Sequence, residues 1–188
     1  MKLTSIKVSL KLPIIGDLSG SWEPDESQRA AAWEMYVELV TRVAVVELGP
    51  DEGLLREALT SLYSLFAITR GILRQHGPAL AQPKGTGRIS FGLIAVTVLN
   101  AVIRPALAHW HPLLMDYESR KPTAVSAAEW ERKWEKNPEL RQALAEIRTT
   151  LSDYALLLAE VASNSASTCP APRSRPARQT LPRSNSFR

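Results

Sequence analysis

A regular apolar spacing between residues 138 and 162 strongly favours an α-helix in this part of the chain. Large apolar side chains recur there at alternating intervals of four and three residues, which keeps them on one face of an α-helix. The positions are Leu140, Leu144, Ile147, Leu151, Tyr154, Leu158 and Val161. Asn137 is expected to be the N-cap and Pro138 the first helical residue. The spacing predicts a helix about 37 Å long that buries one face along most of its length.

Two earlier segments have the same kind of periodicity. The first is predicted to begin near Pro24 and to stop at Gly49-Pro50. Its apolar stripe, expected to face the core, is Trp33, Val37, Val40 and Ala44. The second is predicted over residues 51–76, with the stripe Leu55, Leu59, Leu62, Phe66, Thr69 and Leu73. Both segments are therefore expected to be amphipathic helices.

A third predicted helix begins at Ser90 and is apolar almost all round, which is typical of the most buried helix of a fold. Pro105 lacks the N–H that an inner helical residue donates, so a kink or break is expected about one turn earlier. The helix is predicted to end near His111-Pro112. Farther along, Ser126 and Glu129 form a capping box at the start of a short helix.

Four long helical segments with short connections predict an all-α protein, an up-down four-helix bundle over residues 24–163. Residues 1–23 are predicted to form a short β-strand and a loop. Residues 164–188 consist largely of Ser, Pro, Arg and Ala without an apolar period. That composition predicts a disordered C-terminal tail.

The N-terminal strand is predicted from an alternation with period two. Ile6, Val8, Leu10 and Leu12 alternate with polar residues. The chain offers no convincing second strand, because residues 14–18 are few and contain Gly16. A lone strand leaves its backbone donors and acceptors unpaired. Either the strand pairs with another chain, or it lies across the bundle and buries Ile6, Val8 and Leu10.

Trp130 and Trp134 lie one turn apart on the short polar helix after Ser126. Two indoles on one face of such a helix require an apolar surface. One interpretation is that they close an end of the protein's own bundle. The other is that they anchor a partner, because tryptophan is enriched at binding hot spots.

The net charge of +4 arises from the tail. Five of the 23 basic residues lie in residues 164–188 and no acidic residue does, so the rest of the chain has 18 bases against 19 acids. The five are Arg173, Arg175, Arg178, Arg183 and Arg188. A nucleic-acid-binding role would therefore depend on the tail rather than on the helices.

The compartment is predicted to be the cytoplasm. The single cysteine, Cys169, excludes a disulfide within the chain. Lys7, Lys11 and Pro13 interrupt any apolar core of a signal peptide. The longest uncharged run, residues 89–103, is shorter than the roughly 20 residues of a membrane span.

No motif predicts a cofactor or a metal. No histidine stands three residues after a glutamate, so the inward-pointing motif of di-iron bundles is missing. Residues 85–87 contain two glycines before a helix but not the full phosphate-binding pattern. Glu34, Glu38 and Arg42 are spaced by one turn, which favours an ordinary row of ion pairs.

The sequence thus predicts a non-enzymatic interaction module that self-associates as a homo-oligomer or docks on a partner protein. The predicted contact residues are Ile6, Val8, Leu10, Trp130 and Trp134. One alternative is a nucleic-acid-binding accessory protein that uses the arginine-rich tail. Another is an enzyme whose site is assembled across subunits, with His109, His111 and Asp116 as the first residues to test.

Overall fold

The computed structural model describes residues 5–12, 16–42, 45, 49, 52–83 and 88–163, and shows a mostly helical protein with a small N-terminal sheet. Its elements are β1 (Ile6–Leu12), β2 (Gly16–Trp22), α1 (Glu26–Val40), α2 (Leu55–His76), a 3-10 turn (Pro78–Ala81), β3 (Arg88–Ile89), α3 (Phe91–Val98), a π-helical turn (Leu99–Ile103), α4 (Arg104–Ser119), α5 (Ala127–Arg132) and α6 (Asn137–Ser163). Helix α1 packs against α6 and α2, and α2 packs against α4.

The predicted last helix is confirmed as α6. Six of its seven apolar positions are buried, and Leu144 is partly buried against the same core. The prediction that Asn137 is the N-cap is wrong, because it is the first residue of α6. Its amide nitrogen donates to the carbonyl of Glu131 at 2.9 Å, and its oxygen accepts from Nε of Arg141 at 3.1 Å.

Helix α2 follows the predicted stripe but begins at Leu55, later than expected. Leu55, Leu59, Leu62 and Thr69 are buried, while Phe66 and Leu73 pack partly buried against the core. Ser126 is confirmed as the N-cap of α5, where its hydroxyl accepts from the N–H of Glu129 at 3.2 Å.

The predicted disturbance before Pro105 is confirmed as a π-helical turn between α3 and α4. Ser90 caps α3 by accepting from the N–H of Leu93 at 3.3 Å. The predicted end near Pro112 is wrong, because α4 continues to Ser119. Pro112 has no backbone N–H, so the carbonyl of Ala108 lacks its helical donor. Ala108 is exposed, so water can satisfy that carbonyl.

The helix Phe91–Ser119 is long and apolar enough to cross a membrane by length and composition. Its most apolar window is 56% buried inside the fold, as in the core helix of many proteins.

Helix α3 packs closely against the 3-10 turn at Gly92, where a Cβ atom would lie 2.9 Å from the carbonyl oxygen of Leu80. Side chains at position 92 would therefore push α3 away from the 3-10 turn.

The expectation of an unpaired N-terminal strand is wrong, because β2 pairs antiparallel with β1 along its whole length. Its register runs from Ile6 opposite Trp22 to Leu12 opposite Gly16. Most side chains of β2 are small or polar, and only Trp22 is fully buried, so it lacks the apolar alternation by which strands are predicted. Gly16 has a φ of +84°, a conformation that favours glycine.

The sheet has the order β1-β2-β3, with β3 parallel to β2. Strand β1 buries Ile6, Val8, Leu10 and Leu12 and packs against α6. The interpretation in which this strand lies across the helices is therefore the one that matches its side chains. Because β2 pairs with it, β1 lies across the helices as one strand of a sheet.

The prediction for the first helix is wrong in its end and in its buried face. Helix α1 ends at Val40, and Thr41 and Arg42 lie outside it, while position 44 of the predicted stripe lies outside the described residues. The face turned to the core is Gln28, Ala31, Ala32, Met35 and Leu39. The predicted stripe points the other way.

The buried face of α6 can be tested directly with two leucine substitutions on this helix. Leu151 is fully buried, whereas Leu156 is 69% exposed. Leu151→Ala should lower the free energy of unfolding by about 2–5 kcal/mol, because the deletion leaves a cavity. Leu156→Ala is the matched control and should change it by less than about 0.5 kcal/mol. Urea denaturation followed by circular dichroism measures both, and equal losses would contradict the described face.

Candidate functional site

The outward face of α1 carries an apolar stripe where a polar surface is usual. Trp33, Val37 and Val40 are 55%, 39% and 41% exposed. They lie one turn apart on the side of the helix opposite Met35 and Leu39. The ring of Trp33 stacks on Tyr36, with centroids 5.5 Å apart. Helix α1 is therefore apolar on two faces, and among the described residues only one of these faces is covered.

An open cavity of about 240 Å³ adjoins this stripe between α1 and the end of α6. Its lining residues are Glu26, Arg29, Ala30, Trp33, Ala162 and Ser163. Nε of Arg29 donates to the carbonyl of Pro24 at 3.3 Å, which holds the guanidinium along the helix. The cavity is large enough for one or two side chains of another molecule. The stripe and this cavity together are called the α1 surface below.

The flank of α1 beside the stripe carries two carboxylates, those of Glu34 and Glu38. Glu38 pairs with Arg42 at 2.5 Å, which confirms the predicted ion pair. Glu34 instead accepts from Nε2 of His76 at 2.8 Å, a contact between α1 and α2 that the row of ion pairs did not predict. Glu34 and Glu38 remain 34% and 41% exposed, so each keeps part of its carboxylate open to solvent beside the stripe although His76 and Arg42 contact them.

The predicted contact residues of the N-terminal strand lie in the core. Ile6, Val8 and Leu10 are each 3% exposed or less. Strand β1 is the edge strand of the described sheet, with β2 on its other side. A contact between these residues and another chain stays a prediction, and it would involve the backbone edge rather than the side chains.

The two predicted tryptophans pack within the protein, but the prediction that both lie on one short helix is wrong, because α5 ends at Arg132, before Trp134. Tyr117 of α4 stacks with Trp130 at 4.9 Å and with Trp134 at 5.5 Å between ring centroids. The hydroxyl of Tyr117 donates to the carbonyl of Trp130, and Nε1 of Trp130 donates to the carbonyl of Tyr117. Trp134 is buried and meets Trp110 edge-on at 6.3 Å. This arrangement matches the interpretation that the pair closes one end of the fold.

The histidines of α4 and Asp116 do not form a common site. His111 approaches Arg56 at 2.9 Å, and His109 packs edge-on against Trp110 at 4.7 Å. Asp116 pairs with Arg120 on the exposed side of the same helix. Among the described residues, no three His, Cys, Asp or Glu side chains are grouped so that they could hold a metal ion.

Glu131 is a buried acid that the sequence pattern does not reveal. Its carboxylate accepts the N–H of Leu55 at 2.8 Å and that of Arg56 at 3.4 Å, and so caps α2 from a distant helix. Burial raises the pKa of Glu131, and the charge of Glu118 raises it further, whereas the two N–H groups and Arg141 lower it. Leu54, at the N-cap position, has no side-chain oxygen, which is the one local hint that a cap must come from elsewhere.

Several predicted features lie outside the described residues. These are the five arginines of the tail, Cys169 and the glycine-containing segment 85–87. Comparison with known proteins finds no matching family model, no matching curated protein and no matching solved structure. Any functional conclusion therefore depends on the chain's own chemistry.

The raised pKa of Glu131 predicts a pH-dependent stability. Because the folded state binds a proton at higher pH than the unfolded chain, the wild type gains stability as the pH falls through the raised pKa toward the ordinary value of 4.5. Glu131→Gln cannot titrate and lacks this gain. Urea denaturation over a pH series should therefore show that the free energy of unfolding of the wild type, relative to that of Glu131→Gln, rises as the pH falls below neutral. A difference that stays constant, or that shrinks on acidification, would contradict the burial of this carboxyl.

Proposed function

We propose that this chain is a protein-interaction module that docks on a helical segment of a partner protein through the α1 surface. The observation that carries the proposal is the exposure of Trp33 beside Val37 and Val40 on a helix whose opposite face is already buried. The up-down bundle of four long helices, which would present this face, is part of the same proposal.

The composition of the α1 surface supports a protein partner. Burying a large aromatic side chain contributes more to binding than burying most other residues, and tryptophan is enriched among the residues that dominate binding energy. Single exposed apolar residues are ordinary on protein surfaces, but a row of them with an adjoining cavity is typical of a contact site. A docked side chain that enters the cavity would contact both Trp33 and Ala162.

The geometry of the stripe favours a helix as the docking element. Trp33, Val37 and Val40 are separated by four and three residues, which matches the spacing of apolar anchors on an amphipathic helix laid alongside. The half-exposed carboxylates of Glu34 and Glu38 border the stripe. They favour Lys or Arg at the edge of the partner helix. The proposed partner is therefore an amphipathic helix with a basic edge.

Site-specific photo-crosslinking in the cells that contain the protein tests this proposal. The photoreactive residue benzoylphenylalanine replaces Val37 on the α1 surface. The control position is Tyr63 on α2, which is 63% exposed but lies outside the stripe. We expect a crosslinked protein at position 37 that is not formed at position 63 and that is lost when Trp33→Ala is added. Mass spectrometry should map the crosslink to a helical segment with Lys or Arg along one edge.

Other outcomes would change or end the proposal. A crosslink from position 37 to a second copy of this chain would show that the α1 surface mediates self-association instead of docking on a different protein. Equal crosslinking at positions 37 and 63, or a crosslink that survives Trp33→Ala, would show that the α1 surface has no specific partner.

A further inference from the structure

A serine, a histidine and a glutamate are aligned where α1 meets the end of α2. Oγ of Ser27 lies 3.5 Å from Nδ1 of His76, and Nε2 of His76 lies 2.8 Å from Oε1 of Glu34. Gln75 holds the same carboxylate oxygen, donating from Nε2 at 3.2 Å. The three groups form a nucleophile, a base and an orienting acid in the order that hydroxyl activation requires.

The carboxylate determines which ring nitrogen of His76 can act as a base. Glu34 has no proton to give when it is ionised, so it accepts the hydrogen of Nε2. In the neutral imidazole this leaves the lone pair on Nδ1, the nitrogen that faces the hydroxyl of Ser27. The contact of 3.5 Å is at the long end of hydrogen bonding, and such contacts commonly shorten when a substrate binds.

The position of Ser27 in α1 adds a second favourable factor. Ser27 is the second residue of the helix, and Asp25 is its N-cap. The first-turn N–H groups of a helix lack intrahelical acceptors and carry the positive end of the helix dipole. The N–H of Gln28 is already bonded to the carboxylate of Asp25 at 2.8 Å. A negative charge that develops on a substrate oxygen beside Ser27 would therefore be stabilised by the N–H groups of Glu26 and Ser27.

We propose that Ser27 is a nucleophile that accepts an acyl group from an ester. His76 acts as the base, and Glu34 is a positioning residue. Oγ of Ser27 forms a bond to the ester carbonyl carbon while its proton passes to Nδ1 of His76. The bond from that carbon to the alcohol oxygen then breaks, and His76 returns the proton to the departing alcohol. Water hydrolyses the acyl-serine by the same steps in reverse, so no oxidant or reductant is needed.

This activity goes beyond the proposed docking and does not depend on it. His76 is 14% exposed and Glu34 is 34% exposed, so the cluster is reachable from solvent. It lies on the flank of α1 next to the stripe, so a partner docked on the stripe would bring its own groups near Ser27.

Covalent labelling with a fluorophosphonate probe tests the proposal on the full chain. The probe reacts with activated serine hydroxyls and releases fluoride. We expect a single adduct by intact mass, located on Ser27 by peptide mapping and absent from Ser27→Ala. His76→Gln should slow labelling by about a hundredfold, the usual contribution of a general base, and Glu34→Gln should slow it as well. Ser152→Ala on α6 is the control and should label like the wild type.

A second probe and a stability measurement make the test decisive. p-Nitrophenyl acetate should leave an acetyl group on Ser27 in the wild type but not in His76→Gln. If the cluster only ties α1 to α2, these variants lower the unfolding midpoint, but neither probe marks Ser27 in the wild type. Labelling of Ser27 that His76→Gln leaves unchanged, in a variant with native circular dichroism, would also overturn the proposal.

Discussion

The side-chain amide of Gln28 joins four segments of the fold from a fully buried position. Its oxygen accepts from Nε1 of Trp22 at the end of β2 and from the N–H of Phe91 at the start of α3, the latter at 3.3 Å. Its nitrogen donates to the carbonyl of Gln82 at 3.5 Å. Because leaving a buried amide or indole unpaired costs about 1–3 kcal/mol, these bonds hold the sheet, α1 and α3 in one arrangement.

Gln28 and the apolar residues on its side of α1 together fix how the helix is rotated. A residue at position 28 that faces the core brings Met35 and Leu39 inward with it, since these positions share one side of the helix. The stripe of Trp33, Val37 and Val40 is then turned to solvent. The proposed docking surface is thus a consequence of which side of α1 finds its partners inside the fold. The Ser27 cluster on the flank of α1 depends on the same rotation.

Elements with one unambiguous apolar face could be predicted from sequence alone. The seam of α6 and the disturbance before Pro105 follow from local chemistry, and both are confirmed. Helix α1 could not be oriented in this way, because it has two apolar faces and only tertiary contacts decide between them. Strand β2 was missed because its pairing with β1, rather than its own side chains, makes it a strand.

The candidate sites were beyond prediction for a related reason. Glu131 reaches α2 from 76 residues away, and Ser27 meets His76 across 49 residues. Neither contact leaves a periodic signal in a single sequence. The tryptophans were correctly identified as residues that need an apolar surface. Nothing local indicated that Tyr117 supplies it.

The rotation of α1 is the central claim, and a matched pair of substitutions tests it most directly. Trp33 is 55% exposed, and Met35, two residues later, is 2% exposed. Trp33→Gln should lower the free energy of unfolding by less than about 1 kcal/mol, as surface changes do. Met35→Gln should lower it by about 2–5 kcal/mol, because it puts an amide into the core in place of apolar atoms. A larger loss for Trp33→Gln than for Met35→Gln would place the stripe in the core and contradict this account.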